Sequence, residues 1–363
     1  MEEFILKLDE LPIFLNVLDY TNNEVFRLYS YIIGKELFNV TLGNEVRIDR
    51  LIKKRDYQKV IEDLIEWLDE DSVKKKKAKN EPSKIVPSFK ILRRSLIGSG
   101  IWKMENWADV EKKLNEIRYR NPLRGDRIAM IGFDTNCFIN RIYSCIRHIY
   151  KRDISKFGFV LSRIVFSELR STQKISKNEL EHLKNKLNRD LEIFAEFWNQ
   201  DSLFTRKKNI GFVEFNKLKT QSNYIINDGV VIDNRDNDLQ IIEDLRNQTL
   251  EKNYDLILIS ADEQFYRVSR EPGINSYYLK NPFLAKMPDR FTGSWEQICD
   301  FLYLLSIYFG AISLRAKDTF QLFGIWRSKR TEDWDSESIK IRVGSPRVAQ
   351  LLKQQINILS RDK

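Results

Sequence analysis

The chain has 363 residues, 42% of them hydrophobic and 31% charged, which excludes a disordered chain and favours two or three folding units over a single core. Cys137, Cys145 and Cys299 are an odd count without paired metal-ligand spacing, and the start MEEFILKLDE is acidic where a secretory signal is basic, so a cytoplasmic location is expected. The net charge of +9 is unevenly spread: residues 1–73 carry 9 basic against 16 acidic side chains, whereas residues 74–94 carry 9 basic against Glu81 alone.

In chain order, the first periodic signal is Val60, Ile61, Leu64, Ile65 and Leu68, which recur at three and four after Tyr57 and predict an amphipathic helix. Residues 1–73 are accordingly read as an acidic, mainly helical N-terminal region. KKKKAKNEPSKIVPS, with Pro82 and Pro87, breaks the pattern and is followed by Gly98-Ser99-Gly100. A second helix is signalled by Asn106 as a cap with Val110, Leu114 and Ile117 on one face, ending before the turn at Pro122 and Gly125. Residues 74–126 thus read as a basic linker and a helix.

From Arg127 short apolar runs alternate with helical stretches: Ile128 to Phe133, FGFVLS from Phe157, IGFVEF from Ile210, DLILIS from Asp255 and a weaker INSYYL from Ile274. Such alternation predicts an α/β domain over 127–287, three layers with a central, mostly parallel sheet. Ser176 to Trp198 is its longest predicted helix, with Leu180, Leu183, Leu187, Leu191, Phe194 and Phe197 along one stripe, a scaffold or a projecting arm. Residues 288–363 read as a small α+β region. Ser294 and Gln297 form a capping box, Phe301 to Leu314 is a buried helix too short to cross about 30 Å of hydrocarbon, and TFQLFGIWRS with SIKIRVG makes a hairpin with one wet, basic face.

In a parallel α/β sheet ligands bind outside the carboxyl ends of the strands. Asp134 follows the first predicted strand, Glu168 lies a helical turn past the second, Asp262 lies just beyond the fourth, and Asp238 starts the helix leading into that fourth strand, with Asp236 and Asp233 close by. Singly, Asp134, Asp238 and Asp262 fit helix N-caps and Glu168 a surface position. Jointly, unpaired carboxylates repel one another unless a cation sits among them, and oxygen-only donors favour Mg²⁺ or Mn²⁺. His148 and His182 read as surface residues.

This arrangement resembles the PIN domain family of metal-dependent nucleases. The resemblance spans about Arg127 to Leu279: a strand ending in Asp134-Thr135-Asn136, the SELR segment with Glu168, Asp238-Leu239-Gln240-Ile241 opening a helix, and Ser260-Ala261-Asp262-Glu263-Gln264-Phe265 after an apolar strand. It implies that Asp134, Glu168, Asp238 and Asp262 hold one or two divalent ions, with Asp236 as an outer candidate, and that Thr135 or Asn136 and Ser260 orient ligands or water. A metal-activated water would then attack a phosphodiester and leave a 5′ phosphate. The chain departs from the family in its long connection between Glu168 and Asp238.

Because an acidic centre repels phosphates, basic surfaces must bring the substrate in. The candidates are Lys74, Lys75, Lys76, Lys77, Arg93 and Arg94, together with Trp326, Arg327, Lys329 and Arg330, where Trp beside Arg suits stacking on an unpaired base. No sequence-specific DNA-reading signature occurs, so an endoribonuclease acting on single-stranded or structured RNA is the first expectation. The alternatives are a structure-specific DNA nuclease and a catalytically silent PIN-like module that binds nucleic acid or protein. The flanking regions offer surfaces to a regulatory protein or a second copy, and no membrane partner is expected. There is no Gly-rich phosphate loop, and Asn136 stands where an aspartyl phosphatase needs a second Asp.

Overall fold

The structure, a computed structural model, describes residues 1–22, 25–70, 85–177, 180–181, 185, 191–196, 201–221, 224–226, 236–270 and 274–361. Its strands in chain order are β1 (Glu2–Leu6), β2 (Val25–Ser30), β3 (Lys35–Thr41), β4 (Val46–Asp49), β5 (Ala129–Phe133), β6 (Gly158–Leu161), β7 (Tyr224–Ile226), β8 (Asp255–Ser260), β9 (Asn275–Tyr278), β10 (Arg290–Gly293), β11 (Ala311–Arg315), β12 (Thr319–Phe323) and β13 (Ile339–Val343). The chain folds as two compact units rather than along the four segments read from the sequence. One comprises Met1–Trp102, Gln173–Arg206 and Met287–Lys363, and the other Lys103–Thr172 and Lys207–Lys286.

The first unit is built on an eight-stranded antiparallel sheet in the order β1-β13-β12-β11-β2-β3-β4-β10. The N-terminal region is therefore not mainly helical: four of its segments are strands, and β2 and β1 pair with β11 and β13 from the other end of the chain. VFRLYS in β2 buries Phe26, Leu28 and Ser30 and turns Val25 and Arg27 outward, a period of two that the helix at Lys54–Glu70 does not share. The capping box at Ser294 and Gln297 opens the helix Trp295–Phe309, as its spacing predicts. That helix stops at Gly310, whose φ of 73° suits glycine, and the remainder of the apolar run becomes β11 rather than more helix. Phe320 meets Phe14 and Phe26 edge-on at 5.9 and 6.4 Å, joining the helix Leu11–Asn22 to the sheet.

β12 and β13 do pair as an antiparallel hairpin, but its expected wet, basic face is not there. Lys340 is 6% exposed and reaches Glu196 at 2.7 Å, and Arg342 reaches the same carboxylate at 2.6 Å. Glu196 comes from Leu191–Glu196, the part of the predicted Ser176–Trp198 helix that forms a described element; most of that predicted helix lies outside the described residues.

The second unit has a five-stranded, wholly parallel sheet in the order β7-β6-β5-β8-β9. Helices cover both faces, as a three-layer α/β unit requires. On one face the helix Asn237–Leu250 lies so close to β5 that a Cβ at Gly132 would stand 3.1 Å from Leu245 and 2.7 Å from Leu258. On the other, Phe133 and Phe159 pack against Phe138 and Tyr143 from the helices Thr135–Ile139 and Ile142–Tyr150. The helix Trp107–Arg118 belongs to this unit as well. Asn106 makes no side-chain cap there; its amide instead donates to Tyr278 O at 2.6 Å and accepts from Lys280 N at 2.8 Å.

One predicted strand is not a strand. IGFVEF lies inside the 17-residue helix Leu203–Lys219, and the true third strand is the short β7. A six-residue apolar run fits a buried helix as well as a buried strand, and only neighbours decide. Here Glu214 is the deciding group: wholly buried, it accepts from Arg141 Nε at 3.2 Å, from Ser144 N at 3.0 Å and from Lys217 Nζ at 3.0 Å. Among the described residues, no helix is long and apolar enough to cross a membrane.

Candidate active site

The sheet order sends the chain to one side after β5 and to the other through β8, so β5 and β8 flank the switch point where a crevice opens beyond their carboxyl ends. Asp134 leaves β5 there and caps the helix Thr135–Ile139: its Oδ1 accepts from Cys137 N at 2.6 Å. Its Oδ2 accepts from the Ser260 hydroxyl at 2.6 Å, across the paired ends of β5 and β8. Ser260 Oγ in turn accepts from Asp262 N at 2.9 Å, which holds the turn after β8. Asp262 caps the following helix through Gln264 N at 2.8 Å, and its other oxygen accepts from Asn136 at 3.1 Å.

The remaining acids come from the other side of the switch. Glu168, on the helix Arg163–Arg170 that follows β6, accepts the Thr135 hydroxyl on Oε2 and the Asn237 amide on Oε1 at 3.0 Å. Asp236 is the N-cap of Asn237–Leu250 and accepts from Asp238 N at 2.9 Å. Asp236 thus takes the structural task, while the Asp238 carboxylate, in the first turn, has no hydrogen-bond or ion-pair partner among the described residues.

The titration of two of these groups reports the convergence. Burial pushes Asp134 up to about 6, opposed by its hydrogen bonds from Ser260 and Cys137 and reinforced by the Asp262 charge. Asp238 is also pushed up to about 6, first by burial and then by the charges of Asp236, Asp262, Glu168 and Asp134. Carboxylates from four chain segments therefore lie within electrostatic reach of Asp238 at one sheet end. Thr135, Asn136 and Ser260, expected to orient ligands or water, each hydrogen-bond one of these acids.

The donor set is all oxygen, which fits a hard divalent ion. Among the described residues, however, no three His, Cys, Asp or Glu side chains are grouped closely enough to hold one. Asn136 and Asn237 already occupy one oxygen each of Asp262 and Glu168.

Asn237 and Lys208 were not among the sequence candidates. Asn237 carried a signal, since it precedes Asp238 in the same first turn. Lys208, whose ammonium is pushed down by burial and held up by the Glu168 charge, sits on the helix that was read as a strand, so its neighbourhood was not legible.

The proposed nucleic-acid contacts fare differently. Trp326 is 1% exposed and cannot stack on a base. The Lys329 ammonium lies 4.5 Å from the Trp326 ring and 4.1 Å from that of Trp334, donates to Gly324 O and Ser338 O at 2.8 and 2.9 Å, and is pushed down to about 7 by burial. Trp326 is core and Lys329 half-buried against it. Arg327 and Arg330 are exposed, and Arg93 and Arg94 are half-buried on the helix Phe89–Gly98; all of these lie in the first unit. Lys74, Lys75, Lys76, Lys77, Asp233 and His182 lie outside the described residues. Comparison of the chain with protein-family models and with curated proteins gives no match.

Proposed function

We propose that the second unit is a PIN-like, divalent-metal-dependent nuclease that hydrolyses phosphodiester bonds, with RNA as its substrate. The observation that carries this reading is the convergence of Asp134, Asp262 and Glu168, tied together through Ser260, Asn136, Thr135 and Asn237, beside Asp238 at the switch point of a parallel sheet. Asp134 and Asp262 each cap their own helix, yet each also accepts a hydrogen bond from the other's strand end, Asp134 from Ser260 at 2.6 Å and Asp262 from Asn136 at 3.1 Å, which capping does not require.

Asp134, Glu168, Asp238 and Asp262 would hold Mg²⁺ or Mn²⁺. The ion, when bound, lowers the pKa of water and neutralises charge on the phosphoryl oxygens. The chain's own groups do the rest. Ser260 fixes the Asp134 carboxylate, Asn136 fixes that of Asp262, and Thr135 and Asn237 fix that of Glu168, so the acids keep their positions when their protons leave. Lys208, near Glu168, supplies a positive charge for a phosphate. The nucleic-acid half of the reading rests on the net charge of +9.

A second reading, a silent PIN-like module that binds without cleaving, takes support from the donors' existing hydrogen bonds and from their failure to close on a common point among the described residues. The two are separated by incubating the chain with labelled single-stranded RNA, duplex RNA and DNA, with Mn²⁺ or with chelator. The nuclease reading expects cleavage of RNA that chelator removes and that Asp134→Asn or Asp262→Asn lowers by about a hundredfold or more. Cleavage indifferent to chelator and to both substitutions ends it, and binding without cleavage of any substrate leaves the silent module.

A further inference from the structure

At the opposite end of the parallel sheet from the acids, the amino ends of β8 and β9 and the last turn of the helix Asn237–Leu250 enclose a cleft of about 420 Å³. That volume lies within the range of small-molecule pockets, about 300–1,000 Å³. Its lining combines three guanidiniums, those of Arg120, Arg127 and Arg246, with one carboxylate, Asp255, and an apolar side that includes Tyr254 and Leu250.

The charges do not cancel. Arg120 donates to Asp255 Oδ2 at 2.7 Å and to Arg127 O at 3.1 Å, and the Arg127 guanidinium lies 3.7 Å from Asp255 Oδ1. Asp255 thus neutralises one of the three arginines, and the lining keeps an excess of two positive charges. Arg246 is exposed, and its guanidinium has no hydrogen-bond or ion-pair partner among the described residues. Nor does it serve the end of its own helix, whose last turn holds no basic residue. The Tyr254 backbone N–H donates to Thr249 O at 2.9 Å, and among the described residues its half-buried side chain makes no hydrogen bond or ring contact.

From this combination we propose that the cleft binds a nucleoside phosphate, with Arg246, Arg127 and Arg120 on the phosphate and Tyr254 and Leu250 against the base. Three guanidinium forks lining one cleft suit the several oxygens of a phosphate, and the phenol ring offers a flat surface that any base can cover. Asp255 stays paired with Arg120 and Arg127, which limits its repulsion of the incoming anion. The site is separate from the acidic one and does not depend on the nuclease reading.

The test is calorimetric titration of the full chain with adenosine monophosphate, adenosine, inorganic phosphate and a short 5′-phosphorylated oligonucleotide, repeated on Arg246→Ala, Arg246→Gln and Tyr254→Leu. Arg246 is exposed and Tyr254 half-buried, and circular dichroism verifies that each variant is folded. The expected result is that a nucleoside phosphate binds more tightly than adenosine or phosphate, that either Arg246 variant weakens it roughly tenfold or more, and that Tyr254→Leu weakens it while leaving inorganic phosphate unchanged. Whichever of the mononucleotide and the oligonucleotide binds more tightly identifies the source of the phosphate. Absence of binding by both at about 1 mM, or an Arg246→Ala titration equal to the parent's, overturns the site. Phosphate or adenosine alone binding as tightly as the nucleotide overturns the proposed pairing of base and phosphate. Asp134→Asn is expected to titrate like the parent, so loss of cleavage and loss of this binding are distinguishable.

Discussion

The two units bury charge in opposite ways. In the antiparallel unit the wholly buried Arg206 gives its guanidinium to the carbonyls of Asp201, Ile307, Tyr308 and Ile85, and Lys340 and Arg342 share Glu196. In the parallel unit the Arg141–Glu214 pair is answered in the same way, but burial, with neighbouring carboxylates adding to it, drives Asp134 and Asp238 toward their neutral forms. An answered charge holds a fold together, whereas like charges gathered at a sheet end cost stability and persist where something else uses them.

The strongest way to break that comparison is Arg206→Ala. It removes the guanidinium that Tyr308 O, at the carboxyl end of the helix Trp295–Phe309, accepts from at 2.7 Å in a dry interior, and a loss of about 3–5 kcal/mol is expected in urea unfolding. A loss under about 1 kcal/mol would mean that this charge is not structural.

Asp134→Asn is expected to have the opposite sign. A carboxyl held near 6 instead of 3.8 makes the folded chain bind an extra proton between those pH values, so this group leaves the fold most stable below about pH 4 and costs stability as pH rises through 6. Asparagine keeps the cap and removes the charge, so without metal ions the variant should gain up to about 3 kcal/mol at pH 8 and nothing at pH 4. A pH-independent difference between variant and parent removes the claim of a strained carboxylate.

Mn²⁺ sharpens the same contrast. Binding to the folded state alone at a hundred times its Kd adds about 2.7 kcal/mol, read as a rise in Tm at pH 8 that shrinks at pH 5, where protons occupy the carboxyls. An equal rise in the Asp134→Asn, Asp262→Asn double variant would place the ion elsewhere. Asp238→Asn follows with a smaller gain of about 1 kcal/mol at pH 8, because solvent reaches this half-buried group and screens its neighbours. Smallest of all, Arg327→Ala and Arg330→Ala should change stability by no more than about 0.5 kcal/mol, since both side chains are exposed. A larger loss from either would move it to the answered, structural class.

Much of the parallel unit was legible because its signals are local. The runs at β5, β6 and β8 are bounded by capping residues, and Asp134, Asp238 and Asp262 each follow a strand or start a helix within one or two residues. The antiparallel unit was not legible for the opposite reason. β2 is completed by β11 almost three hundred residues later, so neither region has a pattern that makes sense alone. Trp326 and Lys329 mislead in the same way: Trp beside basic residues has the composition of a nucleic-acid surface, and only burial shows that the indole packs inward with the ammonium over its ring.

The sequence by itself determined which residues are acidic at strand ends, where the capping box opens a helix and where parallel strands begin, since these depend on backbone chemistry within a few residues. Long-range packing settles that IGFVEF is helical, that the two ends of the chain share one sheet, and that Asp236 caps the helix while burial and neighbouring carboxylates raise the Asp238 pKa. Each of those outcomes depends on partners distant in sequence, through Arg141 on Glu214, β11 on β2 and Glu168 beside Asp238, and the energy of such contacts is not written in any one segment.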